Sequence, residues 1–534
     1  MPFLRAIATV GGLTLVSRVL GYLRDVLIAA SLGAGPVADA FFIAFKFPNF
    51  FRRLFAEGAF NVAFVPIFAG KLASEGRLSA FQFAEDATGV LFMSLLTLVA
   101  AVEISAPWLL YGLAPGFVGD PVRYPLAVEF LRVTFPYLLF IALTALQGGI
   151  LNSLNRFAAQ AAAPILLNLC MIAALLLYAP LKDELGWATM GHALSWGVAA
   201  AGFAQFLFLL AACRSAGVHL RFRRPRLSPE LKDLLKRIVP GAIGAGAIQV
   251  NLVIGIIIAS LLPTGSIAYL YYAERITQLP VGVIGAAVGT ALLPLLSRQL
   301  HRGDSEAGRE SQNRAIEFAL LLTVPAAFAL VILAAPIVSV LFERGAFGAG
   351  DAQTTANVLA AFSLGLPAFV LAKVLAPGFF ARGDTATPVK IAGISAAANL
   401  ILALLLMIPF RAIGIALAAS ASAWLNAALL FGLLARRGFE PDARLKTRSR
   451  RIVLASAGML AVVAVLAEIL LPWLSGSALL RAAGLGILIA SGLMAFAGLA
   501  EVLGAARFAE LRQAITKAPI TKAPARTPAG EPGA

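Results

Sequence analysis

SRVLGYLRDVLIAASLGAGPVADAFFIAFKFPNFFRRLFAEGAFNVAFVP, residues 17 to 66, reads as two membrane-crossing helices joined by a Gly-Ala-Gly-Pro turn at residues 33–36. Inside that apolar stretch stand Arg18, Arg24, Asp25, Asp39, Lys46, Arg52, Arg53 and Glu57. A charged side chain at the centre of a bilayer costs roughly 3 kcal/mol on insertion scales, so such residues face a watery cavity or a partner. Five basic residues in two spans therefore point to an interior pocket built for an anion.

The surrounding chain has the solvent preference that this reading requires. Of 534 residues 60% are hydrophobic and only 13% charged, and mean hydropathy is +0.88. That composition belongs to a polytopic membrane protein. Hydrocarbon cannot satisfy peptide groups, so the spans must be helices or a closed barrel. Apolar runs of about 20 residues, in place of alternating segments of about 10, select helices. The apolar run at the N-terminus continues through Arg18 and Arg24 without a small-residue cleavage site, so the first helix is expected to be kept. Cys170 and Cys213 lie in or at the ends of apolar spans, and His192, His219 and His301 lack ligand spacing. No disulfide framework, metal site or cofactor is expected.

Fourteen spans fit the pattern, at roughly 7–32, 37–70, 86–112, 123–151, 158–180, 187–212, 238–262, 266–297, 315–342, 354–381, 386–409, 412–435, 452–473 and 478–504. With the N-terminus inside, the inside segments and adjoining span ends hold 30 Lys and Arg and the outside ones 5, and 8 of the 43 lie deeper within spans. Cytoplasmic loops collect Lys and Arg, so this bias places both termini in the cytoplasm. It also explains the net charge of +16 without nucleic acid.

The cations set in from the span ends are Arg18, Arg24, Lys46, Arg52, Arg53, Arg132, Arg275 and Lys373, and most belong to the opening stretch. A cation near a helix end can snorkel to the headgroups, and Arg53, towards the inner side of span 2, is open to that reading. For Arg18 and Arg24, set deeper in span 1, snorkelling is harder. Asp39, Phe42, Lys46, Asn49, Arg53, Glu57 and Asn61 step by three and four and share one face of span 2. Arg53 and Glu57, four apart, can neutralise each other. In span 1, Ser17, Gly21, Arg24 and Ile28 share a face, with Arg18 and Asp25 on a neighbouring one. Pro48 and Pro66 are expected to bend span 2 and open room beside the charged stripe.

The halves repeat. Ala30-Ser31-Leu32 matches Ala259-Ser260-Leu261 at an offset of 229, and Phe64-Val65-Pro66 matches Leu292-Leu293-Pro294 at 228. Gly149-Ile150-Leu151 answers Gly378-Phe379-Phe380 at 229, and Asn168-Leu169 answers Asn399-Leu400 at 231. Two six-helix lobes follow, 1–220 and 238–436, related by a pseudo-twofold along the membrane normal, since six spans preserve orientation. Transporters place substrate between such repeats. Between the lobes, 221–237 reads as an interfacial amphipathic helix on anionic lipid: Ser228 is an N-cap before Pro229, and Leu231, Leu234, Leu235 and Ile238 form its apolar stripe. A basic cytoplasmic loop at 437–451 leads to the last two spans in 452–506. The tail, 507–534, Pro/Gly-rich with ITKAP written twice, is expected to be disordered.

SRVLGYLRD, ADAFFIAFKFPNFFRRLFAEGAFNVAFVP and YYAERITQLPVGVIGAAVGTALLPLLS together resemble the MurJ (MviN) family of lipid II flippases. That family belongs to the multidrug/oligosaccharidyl-lipid/polysaccharide exporter superfamily. The resemblance runs through essentially all the spans. It implies an all-α inner-membrane protein of fourteen helices, with two lobes around a cationic cavity and a groove for the lipid tail at spans 13 and 14. It further implies alternating access in the service of cell-wall synthesis. Ser17, Arg18, Arg24, Asp39, Arg52, Arg53, Glu57 and Arg275 stand in the family's context, and Glu274 stands where some relatives have aspartate.

On this reading Arg24, Arg52 and Arg275 clamp the diphosphate of lipid II, because the planar guanidinium binds phosphate oxygens bidentately. Arg18 and Arg53 set the field, Ser17 and Asn49 join the binding face, and Asp25, Asp39, Glu57 and Glu274 hold the arginines or gate an opening. An anion leaving a negative interior gains about 2.3 kcal/mol per charge per 100 mV, so the membrane potential can drive export. Sodium, proton or chloride coupling is the alternative source of energy. Lipid II, membrane lipids and proteins of cell-wall synthesis or division are the expected partners, with the chain itself a monomer. A flippase for another polyprenyl-diphosphate-linked glycan is the nearest alternative. A cation antiporter would bury acids in place of arginines. A membrane enzyme would need paired catalytic carboxylates or a metal constellation that the sequence lacks.

Overall fold

The computed structural model describes residues 2–52, 59–181, 189–221 and 228–506, and every regular element among them is a helix. In chain order these are α1 (Pro2–Leu32), α2 (Pro36–Arg52), α3 (Ala59–Ser74), α4 (Arg77–Leu113), α5 (Arg123–Thr134), α6 (Tyr137–Ser153), α7 (Ala158–Leu181), α8 (Met190–Ser215) and α9 (Pro229–Ser260). They continue as α10 (Ser266–His301), α11 (Ser305–Ile332), α12 (Ala334–Phe342), α13 (Ala349–Ser363), α14 (Leu366–Phe380), α15 (Ala386–Ala435), α16 (Ala443–Ile469), α17 (Leu471–Leu474) and α18 (Ala478–Val502). Among the described residues nine helical segments are long and apolar enough to cross a membrane. Large apolar side chains stand open on their outer faces, Ile104 at 71% and Ile408 at 79% exposure, as a hydrocarbon surround permits.

Proline and glycine divide several of the expected spans. Span 4 is α5 plus α6, broken at Phe135-Pro136, and span 10 is α13 plus α14, broken at Leu364-Gly365. The two breaks lie 229 residues apart, the spacing of the sequence repeat. The helix ends that follow agree as well. The chain leaves α6 through Asn155 at φ 59 with Arg156 N donating to Leu151 O, and leaves α14 through Gly383 at φ 76 with Asp384 N donating to Phe379 O. These left-handed residues close the helix ends by satisfying orphan carbonyls. Spans 11 and 12 form the single element α15, turned by one residue, Arg411, at φ 50 and ψ −127. Ala403 and Ala418, from its two arms, pack together against Ile258.

The described chain packs as two units. The first comprises Met1–Leu279, Leu333–Gly365 and Ala386–Ala428. One of its cores gathers Phe64 and Phe68 of α3, Phe83 of α4, Ile150 of α6, Leu209 of α8, and Leu231 and Leu234 of α9. This corrects the expectation for 221–237. Ser228 does cap the helix, accepting from Leu231 N, but Leu231 and Leu234 are each 1% exposed and packed on protein, and the helix runs on without interruption to Ser260. Leu235 alone of the described stripe is exposed. At another end of this unit the α1–α2 turn meets the α12–α13 turn with main chain against main chain. Ala346 N donates to Ala30 O at 2.8 Å. A Cβ at Gly33 (φ +62) would lie 2.5 Å from Ala346 O, and one at Gly345 (φ +58) would lie 2.3 Å from Ala30 O. Both positions need glycine for conformation and for space.

The second unit comprises Pro280–Ile332, Leu366–Thr385 and Leu429–Ala534. Here Val324 of α11, Ile452 and Ala455 of α16, and Ala500 of α18 share a core. The basic segment 437–451, expected as a loop, is helical from Ala443 on as the opening of α16, and acids order it. Asp442 caps α16 by accepting from Leu445 N at 2.6 Å. Glu317, with a side chain 9% exposed, receives Arg314, Arg444 and Arg448. The tail at 507–534 lies outside the described residues.

Candidate functional site

Spacing along α1 decides which side chains meet. Ser17, Gly21 and Arg24 fall on one face, and Asp25 lies one residue round. Gly21 presents no side chain, so the Arg275 guanidinium lies across it; a Cβ there would be 3.0 Å from Arg275 Nη2. Arg275 comes from α10, and its Nε donates to Asp25 Oδ2 at 2.6 Å. Arg24 grips the other oxygen, with Nη2 at 2.7 Å and Nε at 3.0 Å from Asp25 Oδ1. Tyr271 of α10 donates to the same oxygen at 3.2 Å. The Asp25 side chain is fully buried, Arg24 almost so, and the Arg275 side chain is 32% exposed. Two guanidiniums thus share one carboxylate and retain an excess positive charge in a site where water screens little.

Neighbouring residues fix this triad in place. Asn168 of α7 accepts from Arg24 Nη1 at 3.0 Å and donates to the Ser17 carbonyl at 2.9 Å. Tyr22 donates to the Arg275 carbonyl at 2.7 Å. Phe42 of α2 stacks on Tyr271 with centroids 4.0 Å apart, and Arg24 lies 5.9 Å over the Phe45 ring. Arg24 is therefore oriented by groups other than the carboxylate, while the Arg275 guanidinium has, beside Asp25, the Tyr22 ring at 5.8 Å.

A cavity of about 550 Å³ opens beside the triad, within the first unit, in the size range of small-ligand sites. Five basic side chains line it, Arg18, Arg24, Lys46, Arg52 and Arg275, against one lining carboxylate, Glu274. Ser17 and Asn49 also line it. Asn49 is committed on both sides, donating to Phe45 O at 2.9 Å and accepting from Arg52 Nε at 3.1 Å, so it aims Arg52. Glu274 accepts from Gln278 at 2.8 Å. Arg18 is exposed, and neither it nor Lys46 reaches a carboxylate among the described residues.

Other expected residues are placed differently. Asp39 is fully buried and binds no arginine among the described residues; it accepts from Gly265 N at 2.7 Å and Ala268 N at 3.1 Å, and so caps the first turn of α10. In the described fold Asp39 is thus a helix cap, beside the expectation that it hold the arginines or gate an opening. Arg53 and Glu57, with their four-residue pairing, lie outside the described residues. The structure also adds residues that the sequence reading passed over. Asn168 enters the repeat only as a match to Asn399, yet a lone amide in an apolar span is itself a signal. Tyr271 lay inside the quoted YYAERIT. Gln205, 1% exposed, lines the cavity, donates to Ala163 O at 2.7 Å, and leaves Oε1 without a partner among the described residues.

Comparison with known proteins bears on this arrangement. A family model described as lipid II flippase MurJ matches residues 28–484. The probable lipid II flippase MurJ of Rhizobium meliloti (strain 1021) is 46% identical over 521 residues, covering 97% of each chain. A solved lipid II flippase MurJ in an inward closed conformation superposes with a TM-score of 0.77 at 25% identity, over 94% of this chain and 99% of that one. An inward-facing multidrug resistance MATE transporter of the MOP superfamily gives a TM-score of 0.65 at 14% identity, over 79% and 94%, which is a likeness of fold.

Proposed function

The chain belongs to the lipid II flippase MurJ family, and from that membership we propose that it carries the lipid-linked peptidoglycan precursor from the inner to the outer leaflet of the cytoplasmic membrane. Lipid II joins an isoprenoid tail to a disaccharide-pentapeptide through a diphosphate. The observation that carries this reading is the sharing of one carboxylate by Arg24 and Arg275 at the edge of a cavity with three further cations. A diphosphate arriving there replaces Asp25 as the partner of guanidinium groups already oriented, and Arg forks match its oxygens two at a time.

In this mechanism Arg24, Arg52 and Arg275 form the clamp. Arg18 and Lys46 raise the local potential, and Arg53 does so from outside the described residues. Gln205 Oε1 offers an acceptor to a sugar or amide donor. Asp25 returns to the arginines when the substrate leaves, so release does not strand two buried cations. Glu274, and Glu57 beyond the described residues, serve as charge partners in gating. The isoprenoid stays in lipid or in a groove at the last two spans, so only the headgroup crosses through water. The two six-helix repeats rock about the site. Both termini face the cytoplasm, and outward movement of the diphosphate down the membrane potential supplies the work.

Depletion of the protein in its native host tests the assignment. Lipid II should accumulate and stay inaccessible from outside the cell. Normal outward appearance of lipid II during depletion, or accumulation of a different polyprenyl-diphosphate glycan, would overturn it.

A further inference from the structure

The second unit contains a hollow of about 300 Å³ that the export reading does not use. It lies where α10 ends, α11 begins, and α14 and α15 end, helix ends that the Lys/Arg distribution assigns to the cytoplasmic side. Leu296, Leu300 and Phe439 give it an apolar wall, and Arg309, Arg382 and Arg437 give it three guanidiniums. Arg437 is pinned, with Nη2 2.6 Å from Asp384 Oδ2 and its guanidinium 5.1 Å over the Phe379 ring. Arg382 donates to Gly378 O at 2.5 Å and reaches no carboxylate among the described residues. Arg309 is 2.8 Å from Glu306 and 3.7 Å from Glu440, but those acids are 75% and 80% exposed, so solvent screens them.

The first unit supplies an internal control. There the end of α6, the start of α7 and the end of α8 leave a hollow of about 350 Å³ beside the Asn155 turn, the match of the Gly383 turn. That one is lined by a single arginine, Arg156, whose Nη1 donates to Ser215 O at 3.4 Å. The two hollows share the matching turns after α6 and α14, and the one in the second unit carries three arginines against one.

We propose that the Arg309–Arg382–Arg437 hollow binds the phosphate of an anionic phospholipid of the inner leaflet. Guanidinium groups suit a phosphodiester. The apolar wall suits the glycerol and first methylenes, and a position at span ends suits headgroup depth. A soluble phosphate would share the first feature and gain nothing from the other two. Ser305, also on the lining, supplies a hydroxyl to the same oxygens.

The test uses the full chain in neutral detergent, titrated with short-chain phosphatidylglycerol, phosphatidylcholine or inorganic phosphate, with intrinsic fluorescence as readout. Phosphatidylglycerol should bind saturably and at least tenfold more tightly than phosphatidylcholine, and inorganic phosphate should not displace it. Arg309→Gln/Arg382→Gln should raise the Kd for phosphatidylglycerol about tenfold, equivalent to about 1.4 kcal/mol. Arg156→Gln, in the control hollow, should leave it unchanged. Arg382→Lys, which keeps the charge and loses the fork, should fall between and stands in if the double variant does not fold. An unchanged Kd in the double variant or in Arg382→Lys, an equal loss with Arg156→Gln, or displacement by inorganic phosphate would each overturn the proposal.

Discussion

Arg275 on α10 donates through Nε to Oδ2 of Asp25 on α1 at 2.6 Å, joining residues 250 apart in sequence. The same carboxylate holds Arg24, so the acid is the shared member of the triad and each arginine is replaceable by the other. This asymmetry separates the effects of substitution at the three positions.

Asp25→Asn should cost stability more than any single arginine change, because it leaves two largely buried guanidiniums without their counter-charge. Removing one partner of a buried pair costs about 3–5 kcal/mol. Thermal unfolding in detergent measures it, and a midpoint within error of the parent would contradict the geometry.

Arg24→Ala and Arg275→Ala, made singly, leave Asp25 with one guanidinium and should insert and fold. Each loses a charge-assisted contact of about 1.5–3 kcal/mol, so lipid II export should drop roughly 10- to 100-fold. Arg275→Lys should recover part of the loss, lacking the fork. Cells exporting lipid II normally with Arg24→Ala would remove that residue from the clamp.

Asp39 receives two main-chain amides, so its neutral isostere keeps much of its work. Asp39→Ala should destabilise by about 1–2 kcal/mol, and Asp39→Asn by less. Should Asp39→Asn keep stability yet abolish export, the charge itself would be needed in the transport cycle.

Gly345→Ala puts a Cβ against Ala30 O and a side chain in the left-handed region. A loss above about 1 kcal/mol is expected. With Ala30→Cys as reporter, thiol labelling from the water side should quicken in the Gly345→Ala background; an unaltered labelling rate would show that this contact does not seal the end of the unit.

Arg411 carries a backbone conformation ordinarily reserved for glycine. Arg411→Gly should therefore stabilise the protein by about 1 kcal/mol, read as a raised unfolding midpoint.

The sequence disclosed the helical class and the cationic cluster because both rest on cost: apolar runs of span length, and charges that hydrocarbon will not tolerate. It disclosed Arg24, Asp25 and Arg275 separately. Their convergence was not legible, since periodicity orders residues within one helix and says nothing of which helix crosses it. Asp39 shows the limit well. In the sequence it is one acid on a charged face, and only the position of Gly265 and Ala268 reveals a cap. Leu231 and Leu234 show the same limit, because an apolar stripe looks alike whether it meets lipid or Phe64. The turn at Arg411 fell in a two-residue gap between expected spans, which the hydropathy pattern located but could not shape.

That turn has a mechanical corollary. A hairpin whose corner is a single residue carries no slack, so its arms cannot slide past one another by a helical turn or open like a hinge without breaking the corner. Any force applied to Ala403 is felt at Ala418. In a transport cycle the pair would behave as one stiff lever, and lengthening the corner by a few glycines should uncouple its arms while leaving each helix intact.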